Sequence, residues 1–436
     1  MQTHTFSANR GLLGRRIIGV LILSLLFVSA GWAANSGPFG EGDDEHWVGT
    51  WSTAPHEPDL LVPGLSNTGF NNQTLRQIVH TSIGGRRVRV RLSTFGATSL
   101  VIGAAHIALA GVGSAIVPNS DRELTFGGKS SITISPGAPI FSDPVDLAVP
   151  ALGNLAVSIF VPGVTGPATW HFEARQTSYI SPSGDFSASG VMPIVASAQA
   201  WFWLSGVEVM APRQTGAIAT FGDSTTDGTH STVDANHRWP DQLARRLMAL
   251  PHYERKSVLN AGLAGNRLLH DSLGPNGLAR FDRDVLSQSG LTDIIVQLGN
   301  ADIGEGWSGG SNPADEVSVD QIIQGYKQLI ERAHAKGLKI YGATLTPFEG
   351  FVVPGTPFPF FSPANEQKRQ EVNEWIRTGG EYDGVIDFDE VLRDPDHPSR
   401  LLARYDSGDH VHPTDDGYRA LGDAIDLSLF SNRDRY

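Results

Sequence analysis

An α/β fold, a parallel sheet with helices on both faces, preceded by an all-β sandwich, is predicted for this chain by a change of pattern near residue 213. Upstream, short alternating stretches are separated by Gly, Pro, Ser and Asn, and helical periodicity is hard to find. Downstream, short apolar runs alternate with amphipathic segments, the pattern of strands buried under helices. The length of 436 residues is enough for two or three domains with sizeable cores, and 40% hydrophobic against 18% charged residues marks the chain as globular rather than disordered.

Residues 1–34 read as an export signal. Arg10, Arg15 and Arg16 precede an apolar run from Ile17 to Ala30, and Gly31-Trp32-Ala33 supplies the small-x-small pattern cut by a signal peptidase. A retained membrane anchor is the competing reading, although the run is short for a span of about 20 residues. The mature protein is therefore expected to be periplasmic or extracellular, with no stable membrane partner after cleavage. From residue 47 to residue 210 the chain reads as a two-sheet sandwich of jelly-roll type. Val88 to Leu92 alternates strictly and Leu155 to Phe160 more loosely, as half-buried strands do. Ala211 to Gly216 reads as a linker, and 213–432 as the α/β domain. Its strands are predicted at Ala217 to Phe221, Ser257 to Asn260, Asp293 to Leu298, Leu338 to Leu345 and Val385 to Phe388. Its helices are predicted at Gln321 to Ala335, Glu366 to Arg377, and from Thr414 toward Leu429.

A net charge of -13 argues against nucleic acid or an anionic membrane as the principal partner, since both select basic surfaces. The chain has no cysteine, so thiol and thiolate-metal chemistry are excluded and stability must come from core burial.

Four short segments offer the parts of an acyl-transfer site: Phe221-Gly222-Asp223-Ser224, Gly262 to Asn266, Gly299-Asn300-Ala301-Asp302 and Asp409-His410-Val411-His412. Ester hydrolysis at neutral pH requires a nucleophile, a base, a group to orient the base, and donors aimed at the developing oxyanion. Ser224 follows the first apolar strand, where a hydroxyl is exposed at the carboxyl edge of the sheet and the residue's own N–H can face an oxyanion. Capping of the next helix by Asp223 and Ser224 is the alternative use of the same residues. His412 lies three residues after Asp409, so base and orienter arrive in one loop. His410 is expected to point away, and Asp415 and Asp416 are first-turn acids favoured by the helix dipole. His270 and His230 lack metal-site spacing and read as solvated surface; no metal and no organic cofactor is expected.

Taken together, these segments resemble the GDSL or SGNH hydrolase family over roughly Thr215 to Leu429, with Arg238 to Asp241 and Thr346 to Gly350 extending the match. The resemblance implies a flavodoxin-like α/β sheet and a serine esterase, with Ser224 as nucleophile, His412 as base and Asp409 as its orienter. It also implies an oxyanion hole built from Ser224, Gly265 and the third-segment position occupied here by Ala301. Asn266, Asn300 and Phe351 are expected to face the substrate. Thr74 to Gln77 and Gly84 to Gly96 resemble the β-domain of a secreted, carbohydrate-esterase-like subgroup, which implies acyl esters, acetyl or other short-chain, on glycans or small molecules. Ala301 departs from the family's asparagine and removes a side-chain donor, a loss worth about a hundred- to a thousandfold in turnover. Two further readings follow: a weakly active or non-catalytic glycan-binding homologue, and a lipase-like acylhydrolase acting on longer chains. The apolar stretch from Phe351 to Phe361 would form a wall of the acyl site or pack on the β-domain.

Overall fold

The computed structural model describes residues 45–58, 64–96, 98–304, 315–353 and 360–431. The segment read as an export signal lies outside them. Among the described residues no helix is long and apolar enough to cross a membrane.

The antiparallel part is built on two sheets. One orders Glu45–Ser52, Leu204–Pro212, Gly85–Ser93 and Pro139–Phe141, with Val145–Val149 also paired to Gly85–Ser93; the other orders Ala196–Ala198, Ser178–Ser183, Asn71–His80, Asn154–Val164, Ala104–Leu109 and Arg122–Leu124. Period-two alternation sends Val88, Val90 and Leu92 of the first sheet and Leu155, Val157 and Ile159 of the second into one shared apolar core. The residues between them on Gly85–Ser93 are covered as well: Arg89 pairs with Glu208, and Arg91 donates to the Ser205 carbonyl and to Gln288 Oε1.

Arg76 and Gln77, which carry part of the resemblance to glycan esterases, are interior. The Arg76 guanidinium donates to Ser158 Oγ and to the carbonyls of Ser114, Ser187 and Ser189, and Gln77 exchanges hydrogen bonds with the Phe202 backbone. This stretch shapes the sheet and cannot touch a ligand.

The expected linker is almost absent. Strand Leu204–Pro212 ends at the start of the expected linker, and the next strand begins at Gly216. The two parts are also stitched side by side: Gly49 N–H donates to the Ser289 carbonyl, Ser257 Oγ to the Gly49 carbonyl, and Leu259 and Ala217 of the α/β part join the antiparallel core.

The second part carries a five-stranded parallel sheet in the order Lys256–Gly262, Gly216–Gly222, Leu291–Gln297, Lys339–Ala343, Gly384–Ile386. Numbered along the chain this is 2-1-3-4-5, the flavodoxin-like order, which places the topological switch beside the first strand. The sheet has two apolar faces. Ala219, Phe221, Ile294 and Val296 pack under helices Val319–His334 and Pro363–Thr378, while Ile218, Val258 and Ile295 pack under Trp239–Met248 and Asp415–Ala424.

Boundaries differ from expectation where capping chemistry decides them. Ser318 and Ser362 accept from the N–H groups of Gln321 and Asn365, so both helices begin two or three residues earlier than hydrophobic periodicity suggests. Phe388, expected at a strand end, opens the helix Phe388–Leu392 because Asp387 caps it. The last helix stops at Ala424, and a separate 3-10 turn covers Leu427–Phe430.

Candidate active site

Ser224, Gly265, Ala301 and His412 come from four loops beyond the carboxyl ends of the strands, and all four line one pocket of about 270 Å³. The first loop is tight. Gly222 and Gly262 abut the short helix Ser224–Asp227, where a Cβ on Gly222 would stand 2.4 Å from the Gln297 carbonyl oxygen and one on Gly262 would stand 2.3 Å from the Asp227 nitrogen. Asp223 caps that helix by accepting from Thr225 N–H at 3.0 Å. The capping reading therefore holds for Asp223, and Ser224 is left with its hydroxyl free for another partner.

That partner is His412. Ser224 Oγ and His412 Nε2 lie 2.7 Å apart, and His412 Nδ1 lies 2.5 Å from Asp409 Oδ2. A carboxylate can only accept from Nδ1, so the ring carries its proton there and presents a lone pair at Nε2 to the serine. The second oxygen of Asp409 accepts the N–H groups of His412 and Val411 and the Ser407 hydroxyl. Burial opposes ionisation of Asp409, but the bonds from His412 and Val411 outweigh it and hold the carboxyl well below its ordinary range. His410 turns the other way, with Nδ1 2.6 Å from Asp406 Oδ2.

Ser224 and Gly265 line the same pocket, and their N–H groups have no acceptor among the described residues. Gly265 stands at φ +70° in a turn closed by Asn266 N–H on the Leu263 carbonyl, a conformation that glycine adopts without strain. Ala301 is buried in the pocket wall and offers only a methyl group. Asn300 does not replace the missing amide: its Nδ2 donates to the carbonyl and hydroxyl of Thr346. Asn266, expected to face the substrate, is fully buried outside the pocket. Its amide donates to the Pro275 carbonyl and accepts from Arg280, whose guanidinium also binds the carbonyls of Gly222 and Ala261, so Asn266 belongs to the scaffold under the loops.

Phe351 lines the pocket, its ring 6.1 Å from that of His412 at 81°, and Phe360 packs against Phe351 at 5.0 Å. Residues 354–359 of the stretch between them lie outside the described residues. Several pocket residues carry no signal in the sequence. Phe172 and Glu173 reach the pocket from the antiparallel part, which no motif announces. His230, read as solvated surface, is half exposed yet lines the pocket, stacked on His412 at 5.4 Å with its Nε2 3.4 Å from Asp409 Oδ2. The ligand-capable atoms of His230, Asp409 and His412 lie within 4.8 Å of one another, so among the described residues these three are placed to hold a metal; a metal on His412 Nδ1 would displace the bond to Asp409.

Asp223 has a consequence for stability. Its burial pushes the carboxyl up to about 7, against the lowering effects of the Thr225 N–H and of His412. The folded state thus keeps a proton that the unfolded chain releases near pH 4, and stability falls as pH rises between about 4 and 7, by on the order of 4 kcal/mol. Asp223→Asn retains a capping side chain and removes this slope. Its thermal midpoint should exceed the wild type's by a margin that widens from pH 5 to pH 8; a constant or shrinking margin would contradict the assignment.

Residues 220–420 match the model of the GDSL-like lipase/acylhydrolase family. None of the curated proteins matches the chain. Among solved structures, it is similar to a lipolytic protein of the G-D-S-L family from Desulfitobacterium hafniense (22% identity, 48% of this chain and 97% of that one, TM-score 0.36). It is also similar to the aryl esterase of M. smegmatis (19%, 50% and 97%, 0.38) and to a carbohydrate acetylesterase from Sinorhizobium meliloti (18%, 48% and 96%, 0.36). Likenesses this distant say nothing of substrate. The family match, by contrast, takes in the end of the strand Gly216–Gly222, Ser224 just beyond it and the loop that holds His412, and it is over residues 220–420 that the chain matches the GDSL-like lipase/acylhydrolase family.

Proposed function

We propose that the protein is an exported serine esterase that hydrolyses short-chain acyl esters, with glycan esters as its natural class of substrate. One observation carries the proposal: the continuous Ser224–His412–Asp409 relay, with contacts of 2.7 and 2.5 Å, that opens into a pocket beside two unpaired backbone N–H groups. The match to an acylhydrolase family supports it.

In the proposed reaction Ser224 Oγ attacks the ester carbonyl carbon while its proton passes to His412 Nε2, and Asp409 stabilises the imidazolium. The oxyanion faces the N–H groups of Ser224 and Gly265. Collapse of the tetrahedral adduct breaks the bond to the alcohol, which leaves with the proton from Nε2. Water then repeats the sequence on the acyl-enzyme and releases the acid. Leu273, Phe351 and Phe360 give the pocket an apolar wall against which an acyl group can rest, while Glu173 and His230 border it with polar atoms suited to a hydroxylated alcohol. Export follows from the arginine-led apolar segment read within residues 1–34.

A fluorophosphonate should label Ser224, detected as a single adduct on its peptide by mass spectrometry, and p-nitrophenyl acetate should be cleaved faster than the palmitate. Absence of both the adduct and turnover would favour the glycan-binding reading that Ala301 keeps open, and a preference for palmitate would favour the lipase-like one.

A further inference from the structure

The strand Trp170–Phe172 of the antiparallel part does more than bring Phe172 to the pocket. Its central residue, His171, is fully buried and stacked on Trp201 at 5.5 Å, and it is hydrogen-bonded at both nitrogens. Nδ1 lies 3.0 Å from the Ala54 carbonyl, which can only accept, so Nδ1 carries a proton. Nε2 lies 3.0 Å from Asp227 Oδ1, and a bare lone pair facing a carboxylate oxygen would repel it, so that contact holds a proton as well. The arrangement is a buried imidazolium on a buried carboxylate. Asp227 is the last residue of the short helix that begins at Ser224, and its other oxygen accepts the Ala264 N–H at 3.1 Å. Ala264 immediately precedes Gly265 in the turn whose unpaired Gly265 N–H borders the pocket.

We propose that His171 is a positioning residue for the oxyanion hole: by neutralising and orienting Asp227 it locks the Leu263–Asn266 turn against the nucleophile's helix and aims the Gly265 N–H. This rests on the reading of Gly265 as an oxyanion donor. The strut has particular weight here because Ala301 supplies no third donor, leaving two backbone groups whose geometry must be held. An ionised Asp227 without His171 would be a buried charge lacking its close cation, and it would turn or take up water instead of holding Ala264. The antiparallel part is accordingly a component of the catalytic unit.

The test uses the full chain with p-nitrophenyl acetate, at a temperature where circular dichroism shows each variant folded. His171→Phe is expected to lower kcat about ten- to a hundredfold, the lower reach of the cost of losing a donor outright, with KM within about threefold. Affinity for a trifluoromethyl ketone, which binds as a tetrahedral adduct, should fall in parallel with kcat/KM. His171→Gln, whose amide can still donate to Asp227, should recover most of the loss. If His171 acts through Asp227, adding His171→Phe to Asp227→Asn should cost little beyond Asp227→Asn alone. A folded His171→Phe variant with unchanged kcat and ketone affinity, or effects of the two sites that simply multiply, would overturn the proposal. Should His171→Phe fail to fold, Asp227→Asn decides it: ketone affinity equal to wild type in that variant would refute it. Wild type that lacks turnover and Ser224 labelling would instead refute the esterase reading itself.

Discussion

Ser224→Ala should reduce turnover of p-nitrophenyl acetate by about a millionfold and leave the fold intact. Removing the nucleophile of a serine relay costs about as much as removing the whole relay, because base and orienter have nothing to act upon, and what remains is the contribution of oxyanion donors and binding, about a thousandfold or more over water. No neighbouring hydroxyl can stand in. Thr225 is buried, and Thr229 Oγ1 is buried without a partner, whereas His412 Nε2 is directed at Ser224. Structurally the change is mild: among the described residues Ser224 Oγ makes its hydrogen bond only to His412, and the helix keeps its cap from Asp223 on Thr225 N–H. The measurement is kcat for wild type and variant with matched circular dichroism and thermal midpoints. A variant retaining even a hundredth of the wild-type rate would place the nucleophile elsewhere.

The parts of the site that sequence reveals are those whose chemistry is local. Asp409 and His412 sit three residues apart in one loop, and the structure shows the carboxylate bonded to both the ring and the N–H of His412. The five parallel strands are equally legible, because strands buried on both faces leave near-continuous apolar runs such as Ala217 to Phe221, broken only by Thr220. What escaped is set by contacts far apart in sequence. Nothing near His171 indicates a carboxylate 56 residues away, and nothing near Phe172 or Glu173 indicates that a sandwich strand will border the pocket. His230 adopts φ +68° after a tight turn, which swings its ring over His412, an orientation that composition cannot foretell. Asn266 misled in the opposite sense: its proximity to Gly265 suggests a substrate contact, but the buried guanidinium of Arg280 needs an acceptor and takes the amide. The linker expected between the two parts shrank for a related reason, since polar and proline residues beyond a strand end read as a spacer whether the flanking strands are joined closely or loosely.

Ala301→Asn is expected to raise kcat by about a hundred- to a thousandfold with little change in KM, the inverse of the cost of deleting one oxyanion donor. Ala301 is the second residue of the helix Asn300–Ile303 and lines the same pocket as Ser224 and Gly265, so an amide there would join the two backbone donors. The surroundings are suited to hold it. Asp223 and Asn300 share this pocket's wall, and Asp223 Oδ2 and Asn300 Oδ1 are buried with no hydrogen-bond partner among the described residues, so that above about pH 7, where the Asp223 carboxyl is ionised, both are acceptors left over. An asparagine amide has two N–H bonds and can give one to such an acceptor while directing the other at the oxyanion. Asn300 cannot move in to do the same without abandoning both bonds to Thr346. Ala301→Asp separates this account from one of pocket size: it has nearly the shape of asparagine but carries no donor when ionised, and its charge would oppose the developing oxyanion. The rate should therefore rise with asparagine and fall with aspartate at pH 8. If both substitutions lower kcat equally, the position is limited by space and the two backbone N–H groups already complete the hole; if asparagine leaves kcat unchanged, some other group supplies the third donor during the reaction.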